Sequence, residues 1–287
     1  MGGLEMDERI RRWVAGAVGM LVMALVSPPA RAGSEVVVGR PCAAAERASI
    51  DQVDHAPFDA LLRRYVDDGG LVDYGRWKAT PADVAALESY LARLGCVDLK
   101  APSRREARLA FWINAYNALT LHGILREYPT SSIRNHTARF GGYNIWKDLK
   151  VVVDGRPHSL DDVEHAVLRK MDEPRIHLAL VCASRGCPPL SNRAYTAAAL
   201  DAQLTANGRR FLSDPRNFRA DARSRTVHVS KLFEWYGADF GAGPAEQLGA
   251  LGPMLPPGSE WAARGTAARV KYLDYDWSLN ERRPARR

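Results

Sequence analysis

One long apolar helix constrains the fold of this 287-residue chain more than any other segment. A capping box formed by Ser103 and Glu106 marks its start, and Pro129 marks its end. Between these limits apolar residues lie on nearly every face, which is typical of a helix buried on all sides. We therefore expect the core of the protein to be built around this helix.

Two amides interrupt the apolar surface of the helix. Asn114 and Asn117 are three residues apart and are neighbours on one side of it. A buried amide without a hydrogen-bond partner costs about 1–3 kcal/mol, so both must be paired. Two interpretations stay open: the amides hold adjoining loop backbone, or one of them orients a catalytic group.

Helical and strand patterns are mixed along the rest of the chain without a regular alternation of strand and helix. The predicted strands form a hairpin around Asp154-Gly155, a buried strand over residues 176–182, and two further strands over residues 226–230 and 270–273. A short aromatic-rich helix is predicted over residues 232–240. This mixture favours an α+β fold, a single domain in which the buried helix packs on a small mixed or antiparallel sheet.

The chain ends predict export. Arg9, Arg11 and Arg12 precede an apolar run that is too short to span a bilayer, and Ala30-Arg31-Ala32 fits a cleavage site. An uncleaved membrane anchor is the alternative. We assign residues 1–32 to a signal peptide, 33–56 to a variable, loosely ordered lead-in, 57–280 to one globular domain and 281–287 to a basic tail. The predicted location is the periplasm or the exterior of the cell, with no membrane span after cleavage.

The charge pattern narrows the class of partner. The formal net charge is +7, but the basic residues form no stripe interleaved with aromatic residues, so nucleic acid is not expected as a partner. A small molecule, a peptide or an envelope component remains, of unknown identity. The His, Cys and acidic residues lack the spacings of zinc sites, so we expect no metal and no cofactor.

Four cysteines in an exported chain predict disulfides. Three pairings are open, and proximity along the chain favours Cys42 with Cys96 and Cys182 with Cys187.

Cys182 is also the candidate nucleophile, because it follows a buried strand and precedes a loop of small residues. A cysteine nucleophile needs a base. His165, beside Glu164, is preferred over His177, which is on the opposite face of the predicted strand. Asn114 or Asn117 would orient the base, and the loop residues Ser184, Arg185 and Gly186 would bind an anion or oxyanion. The competing interpretation is a structural Cys182–Cys187 disulfide.

Several segments together resemble the domain of unknown function 547 family. They are FWINAYNAL (111–119), Tyr128-Pro129 with Ser132-Ile133, Trp146, SLDDVEHAVLR (159–169), the PRIH to CPPL segment (174–190) and SKLFEWYGADF (230–240). The resemblance extends over about residues 58–280. It implies an α+β domain, often behind a signal peptide, without an agreed activity.

The resemblance also bears on thiol chemistry. Some related proteins carry this domain beside glutaredoxin-like modules. Plant-type members have Ser at the position of Cys187, which favours Cys182 as a functional residue.

Two functions are therefore expected. The first is a cysteine-dependent enzyme, acting by acyl transfer, hydrolysis or thiol exchange. The second is a non-catalytic binding domain of the envelope in which Cys182 and Cys187 form a disulfide.

Overall fold

The structure, a computed structural model, describes residues 35–43, 46–138, 142–264 and 268–282. The signal peptide predicted over residues 1–32 lies outside these ranges, as do residues 283–287 of the predicted basic tail. Within the described ranges no helix is both long and apolar enough to cross a membrane.

Helices make up most of the regular structure. The α-helices are α1 (Ala56–Tyr65), α2 (Tyr74–Lys78), α3 (Pro81–Leu94), α4 (Arg105–Glu127), α5 (Ile145–Asp148), α6 (Leu200–Leu212), α7 (Leu232–Phe240) and α8 (Pro244–Leu251). A π-helix spans Asp162–Val167. Single turns of 3₁₀-helix span Ile50–Gln52, Ile133–His136, Leu168–Met171, Pro174–Leu178, Gly252–Met254 and Glu260–Ala263.

The strands form two small mixed sheets. They are β1 (Val36–Val38), β2 (Leu149–Val153), β3 (Arg156–Ser159), β4 (Phe218–Asp221), β5 (Thr226–Ser230) and β6 (Arg269–Leu273). In the sheet β1-β2-β3, β2 is parallel to β1 and antiparallel to β3. In the sheet β4-β5-β6, β5 is antiparallel to β4 and parallel to β6. The predicted α+β class is thus confirmed, with two sheets instead of one.

Helix α4 is the buried centre of the larger core. Its residues from Leu109 to Leu125 are all buried. Gly123 lets β2 approach closely, because a Cβ atom there would lie 2.6 Å from the side chain of Leu149. The predicted start is wrong by about one residue: Arg104 is the N-cap residue, and Ser103 Oγ is buried without a partner in the described part of the chain.

The two buried amides of α4 bind loop backbone. Asn114 accepts a hydrogen bond from Tyr195 N (2.9 Å) and donates one to Tyr195 O (2.8 Å). Asn117 accepts from Val181 N (3.0 Å) and donates to Ala179 O (3.0 Å). Each side chain therefore satisfies one donor and one acceptor of a buried loop, which is the first of the two interpretations left open by the sequence.

The strand predicted over residues 176–182 is wrong. This segment begins as a turn of 3₁₀-helix, Pro174–Leu178, with Glu173 capping it by accepting a hydrogen bond from Arg175 N. The backbone that follows pairs with the amide of Asn117 and not with a neighbouring strand. An apolar run that is buried on all sides has no periodicity that would separate these cases.

The boundaries predicted for the lead-in and the tail also need correction. Val36–Val38, predicted to be loosely ordered, form the edge strand β1, and a Cys42–Cys96 disulfide ties the following residues to the chain beyond α3. β-branched residues favour a strand once a partner is available. At the other end, Arg282 forms an ion pair with Asp73 and so belongs to the folded domain.

The remaining predicted elements are confirmed. The hairpin turns at Asp154 and Gly155, which both have positive φ, as a type I′ turn requires. The predicted strands at 226–230 and 270–273 correspond to β5 and β6, and the helix at 232–240 is α7. A second, smaller apolar cluster packs beneath β4, β5, α7 and α8.

Replacing Asn117 tests whether its amide holds the segment that leads to Cys182. Asn117→Ala leaves a buried N–H and a buried C=O without partners, so we expect it to lower the free energy of unfolding by about 2–4 kcal/mol. Urea unfolding followed by circular dichroism measures this. Glu106→Gln, an exposed change in the same helix, should alter stability by less than about 0.5 kcal/mol. Equal stability of the two variants would contradict the assignment.

Candidate functional site

The π-helix carries two of the residues that the sequence analysis singles out, Glu164 and His165. Its first residue, Asp162, accepts hydrogen bonds from the backbone N–H (2.9 Å) and the hydroxyl (2.8 Å) of Ser159. Short π-helical segments are rare and are frequent at functional sites. Here the π-helix forms one side of a cleft.

The cleft has a volume of about 260 Å³, and six tryptophan and tyrosine side chains contribute to its lining. We call it the aromatic cleft. It brings together the π-helix, α7, the Cys182–Cys187 loop and the segment after β6. Its lining consists of Tyr116, Trp146, Asp161, Glu164, His165, His177, Leu180, Cys182, Cys187, Pro188, Leu232, Trp235, Tyr236, Tyr275 and Trp277.

Three rings form one wall of the aromatic cleft. The ring centroids of Trp235 and Tyr275 are 4.9 Å apart, and those of Tyr275 and Trp277 are 4.6 Å apart, with the planes tilted. Trp235 is 43% exposed, which is unusual for so large an apolar side chain. The guanidinium of Arg134 lies 5.2 Å from the ring centroid of Trp277, so this ring already takes part in a cation–π contact.

Two carboxylates face this aromatic lining. Glu164 accepts a hydrogen bond from the hydroxyl of Tyr116 (3.1 Å). Burial raises the pKa of Asp161. Neither carboxylate forms an ion pair with another described residue. The cleft therefore combines aromatic faces with negative charge that is not compensated by direct contact.

A charged network supports the floor of the cleft. Arg169 donates two hydrogen bonds of 2.7 Å to Asp239, which lowers the pKa of this carboxyl group to about 2. His177 Nε2 lies 2.7 Å from Asp239, and its ring stacks on Tyr236 with centroids 4.1 Å apart. Burial lowers the pKa of His177, which favours the neutral imidazole. The network fixes the position of Tyr236 at the edge of the cleft.

Cys182 and Cys187 form a disulfide in the wall of the aromatic cleft. The hydroxyl of Tyr275 lies 3.1 Å from both sulfur atoms, and that of Ser184 lies 3.1 Å from Cys182 Sγ. Ala183, the first residue of the loop between the two cysteines, adopts a left-handed backbone conformation with φ of 55°. This costs about 1–2 kcal/mol for a residue with a side chain. The hydrogen bond from Asn280 N to Ala183 O (3.0 Å) helps to hold it.

The predicted catalytic residues meet only in part. Cys182, His165 and Glu164 line the same cleft, whereas Asn114 and Asn117 bind backbone elsewhere. The polar groups that contact Cys182 Sγ are hydroxyls, and the hydrogen-bond contact of His165 Nδ1 is with Arg169 Nη1 at 3.4 Å. In this disulfide-bonded state Cys182 has no thiol for a base to activate.

The anion or oxyanion site predicted at Ser184, Arg185 and Gly186 stays a prediction, but two of its backbone donors already have acceptors within the fold. Arg185 N donates to Ser278 O and Gly186 N donates to Asp276 O, both at 2.8 Å. Ser184 Oγ donates a hydrogen bond to the hydroxyl oxygen of Tyr275 (3.1 Å). The acceptors belong to the segment after β6. This segment is far from the cysteine loop in sequence, so the sequence gives no sign of the contact.

One cluster of potential metal ligands bears on the expectation that the protein binds no metal. Among the described residues, Cys42, Glu46 and Cys96 bring three potential ligand atoms within 4.8 Å of one another. Cys42 and Cys96 are joined as a disulfide, so neither sulfur is a thiolate ligand. The cluster is therefore not a metal centre in this state.

The site contains residues that sequence reasoning does not assign a role. They are Tyr116, Trp146, Asp161, Trp235, Tyr236, Asp239, Tyr275 and Trp277. A usable signal is the concentration of aromatic residues in α7 and after β6, because aromatic residues this dense on short elements exceed what a small core requires. The pairing of His177 with Asp239, 62 residues away, has no local signal.

Comparison with known proteins gives one match. Residues 100–212 match the family described as "Protein of unknown function, DUF547". Searches of curated proteins and of solved structures each found no significant match. The matched range holds α4, the π-helix and the Cys182–Cys187 loop, whereas α7 and the segment after β6 lie beyond it. Over residues 100–212 this chain is therefore similar to the DUF547 family, which supports the resemblance described from its sequence segments.

Proposed function

We propose that the protein is a non-catalytic binding domain of an oxidising compartment, and that its aromatic cleft receives a cationic group such as an ammonium or a guanidinium. The observation that carries this proposal is the lining of the cleft. Aromatic faces and two carboxylates, neither in an ion pair with a described residue, surround one concave space.

The aromatic rings favour a cation because their faces carry partial negative charge. Each cation–π contact contributes about 0.5–1 kcal/mol at an exposed site and about 2 kcal/mol when desolvated. Trp235 offers an exposed ring, and Tyr275 and Trp277 extend the same wall. Arg134 on Trp277 is an internal example of such a contact.

The two carboxylates supply negative charge to the cleft. This charge stabilises a bound cation and gives a neutral ligand no comparable advantage. Glu164 is positioned by the hydroxyl of Tyr116. The raised pKa of Asp161 reflects a negative charge that is disfavoured by burial, and a bound cation would offset this cost. An anionic ligand would meet both carboxylates and be repelled, so this cleft does not suit the anionic partner that the net charge of +7 permits.

The disulfides support the proposed location. Cys42–Cys96 and Cys182–Cys187 leave no free cysteine in the described part of the chain. Disulfides persist mainly in oxidising compartments, which agrees with a periplasmic or secreted protein. Because Cys182–Cys187 closes a span of only five residues, its main effect is to fix the loop in the wall of the cleft.

Glu164→Gln tests the proposed ligand class. We expect tetramethylammonium to bind the native protein with a Kd on the order of 1 mM, as two or three cation–π contacts and one carboxylate would give. The substitution removes the charge and keeps the shape, so we expect Kd to rise about fivefold or more. Isothermal titration calorimetry at constant ionic strength measures both values.

Two controls accompany this titration. Glu106→Gln removes an equal charge outside the cleft and should leave Kd unchanged. Uncharged tert-butanol, which has a similar shape, should bind at least tenfold more weakly than tetramethylammonium. Equal affinity for the two ligands would refute a cation site, whereas no binding of either would refute the aromatic cleft as the recognition site.

A cysteine-dependent enzyme is the second candidate function. The observation in its favour is that Cys182, His165 and Glu164 line one cleft. It requires the reduced protein, because the disulfide removes the nucleophile. It also requires the imidazole of His165 to leave its contact with Arg169.

Alkylation of the thiols separates the two functions. For a binding domain we expect the native protein to resist iodoacetamide until a reductant is added. After reduction, the rate at which Cys182 reacts should change less than twofold in His165→Ala, because hydroxyls and not an imidazole contact this sulfur. Rapid labelling without reductant that His165→Ala suppresses would instead support the enzyme. Mass spectrometry of the labelled peptide reports both outcomes.

A further inference from the structure

A second cleft lies against the other side of the Cys182–Cys187 loop. It has a volume of about 270 Å³, and Cys187 and Pro188 line both this cleft and the aromatic cleft. We call it the arginine cleft, because Arg185, Arg210 and Arg216 line it. Each arginine comes from a different part of the chain: the disulfide loop, α6 and the turn before β4.

The charges of the arginine cleft do not cancel. Arg216 is neutralised by Asp214, with its Nε 2.9 Å from a carboxylate oxygen. Asp68 is the remaining carboxylate of the lining and accepts a hydrogen bond from Asn192. Arg185 donates to a backbone carbonyl, that of Glu281, at 3.0 Å. Among the lining residues, the guanidinium groups of Arg185 and Arg210 therefore face one carboxylate that is not in an ion pair, while Asp67 and Asp276 attract them from outside the lining.

Arg210 is the group that most needs a partner. Its Nη2 atom is buried and has no hydrogen-bond acceptor among the described residues. Burial lowers the pKa of Arg210, and attraction by the carboxylates of Asp68 and Asp67 offsets only part of this effect. A buried charge without a partner is unfavourable. An anion that entered the cleft would provide a counter-charge to this guanidinium.

We propose that the arginine cleft binds an oxyanion, a carboxylate or phosphate group, through Arg210 and Arg185. A guanidinium presents a planar fork of N–H donors that matches the paired oxygens of these groups. The site is distinct from the aromatic cleft in charge and in lining, apart from the shared wall.

The scaffold of the arginine cleft is held in place before any ligand enters. Asn207, one turn before Arg210 on α6, donates a hydrogen bond to Pro189 O at 3.0 Å. This bond ties α6 to the chain just after the disulfide loop. The donors are therefore carried by elements that are already joined, which lowers the ordering cost of binding.

Arg210→Met tests the proposal by separating stability from binding. Thermal unfolding and calorimetric titration are carried out with inorganic phosphate and with citrate, at ionic strength kept constant with sodium chloride. For the native protein we expect saturable binding of at least one anion and a rise in Tm. Which anion binds more tightly distinguishes a phosphate from a carboxylate ligand.

In Arg210→Met we expect Tm without anion to be unchanged or higher, because an uncompensated buried cation has been removed. The Kd for the anion should rise at least tenfold. Arg219→Met, which removes an exposed arginine of β4, and Glu164→Gln in the aromatic cleft should both keep the native response. A lower Tm with an unchanged Kd would show a structural role for Arg210 and overturn the proposal.

A second variant covers the case in which Arg210→Met does not fold. Arg185→Gln removes one charge of the cleft and, because glutamine is shorter than arginine, also removes the hydrogen bond to the Glu281 carbonyl. We expect its Kd for the preferred anion to rise at least threefold. An unchanged Kd, or the absence of saturable binding to the native protein, would also overturn the proposal.

Discussion

The hydrogen bonds of Asn117 are the interaction on which the site depends. This side chain lies inside the most buried helix and satisfies the backbone of Ala179 and Val181, immediately before Cys182. A buried loop can stay irregular only if its polar groups find partners. By providing them from α4, the fold sets the start of the disulfide loop against the centre of the core. Asn114 does the same for the segment at Tyr195.

The disulfide loop then acts as a wall between two unlike spaces. On one side lie aromatic rings with Glu164 and Asp161, and on the other lie arginines, among them Arg210, whose Nη2 has no acceptor within the described ranges. Cys182–Cys187 and the hydroxyl of Tyr275 fix this wall from within. A small movement of the loop would change both spaces together. The disulfide leaves Cys182 without a free thiol. It also gives the two clefts a common rigid boundary.

The parts of the fold that could be predicted from sequence are those with local causes. The apolar faces of α4, the Asp154-Gly155 turn and the alternation in β5 each reflect the residues of their own segment. The segment at 176–182 fails because its hydrogen-bond partner is a side chain some sixty residues away, and an apolar run alone does not reveal this. The α+β class and both disulfide pairings follow from composition and proximity, and the structure agrees with them.

Only part of the site could be predicted from the sequence, namely the cysteine loop and the Glu164-His165 pair. The cysteine loop and the Glu164-His165 pair are visible as motifs, and they do line one cleft. Their chemistry also depends on Tyr275 and Trp277, which follow β6, and on Asp239 in α7. Tyr275 is 93 residues from Cys182, and the segment after β6 also occupies backbone donors of the cysteine loop. The spacing of residues along the sequence does not reveal contacts between segments that are this far apart. For this reason the residues suggested a catalytic dyad, whereas the geometry favours recognition of a cation.

Nuclear magnetic resonance of the indole N–H groups can show whether a cation enters the aromatic cleft. The protein with its disulfides intact is titrated with tetramethylammonium, and each tryptophan serves as a separate reporter. We expect saturable shifts for Trp235 and Trp277, in the wall of the aromatic cleft, and none for Trp77 and Trp112, which are buried in the core. Equal shifts at all four indoles, or no shift at Trp235 and Trp277, would contradict this expectation.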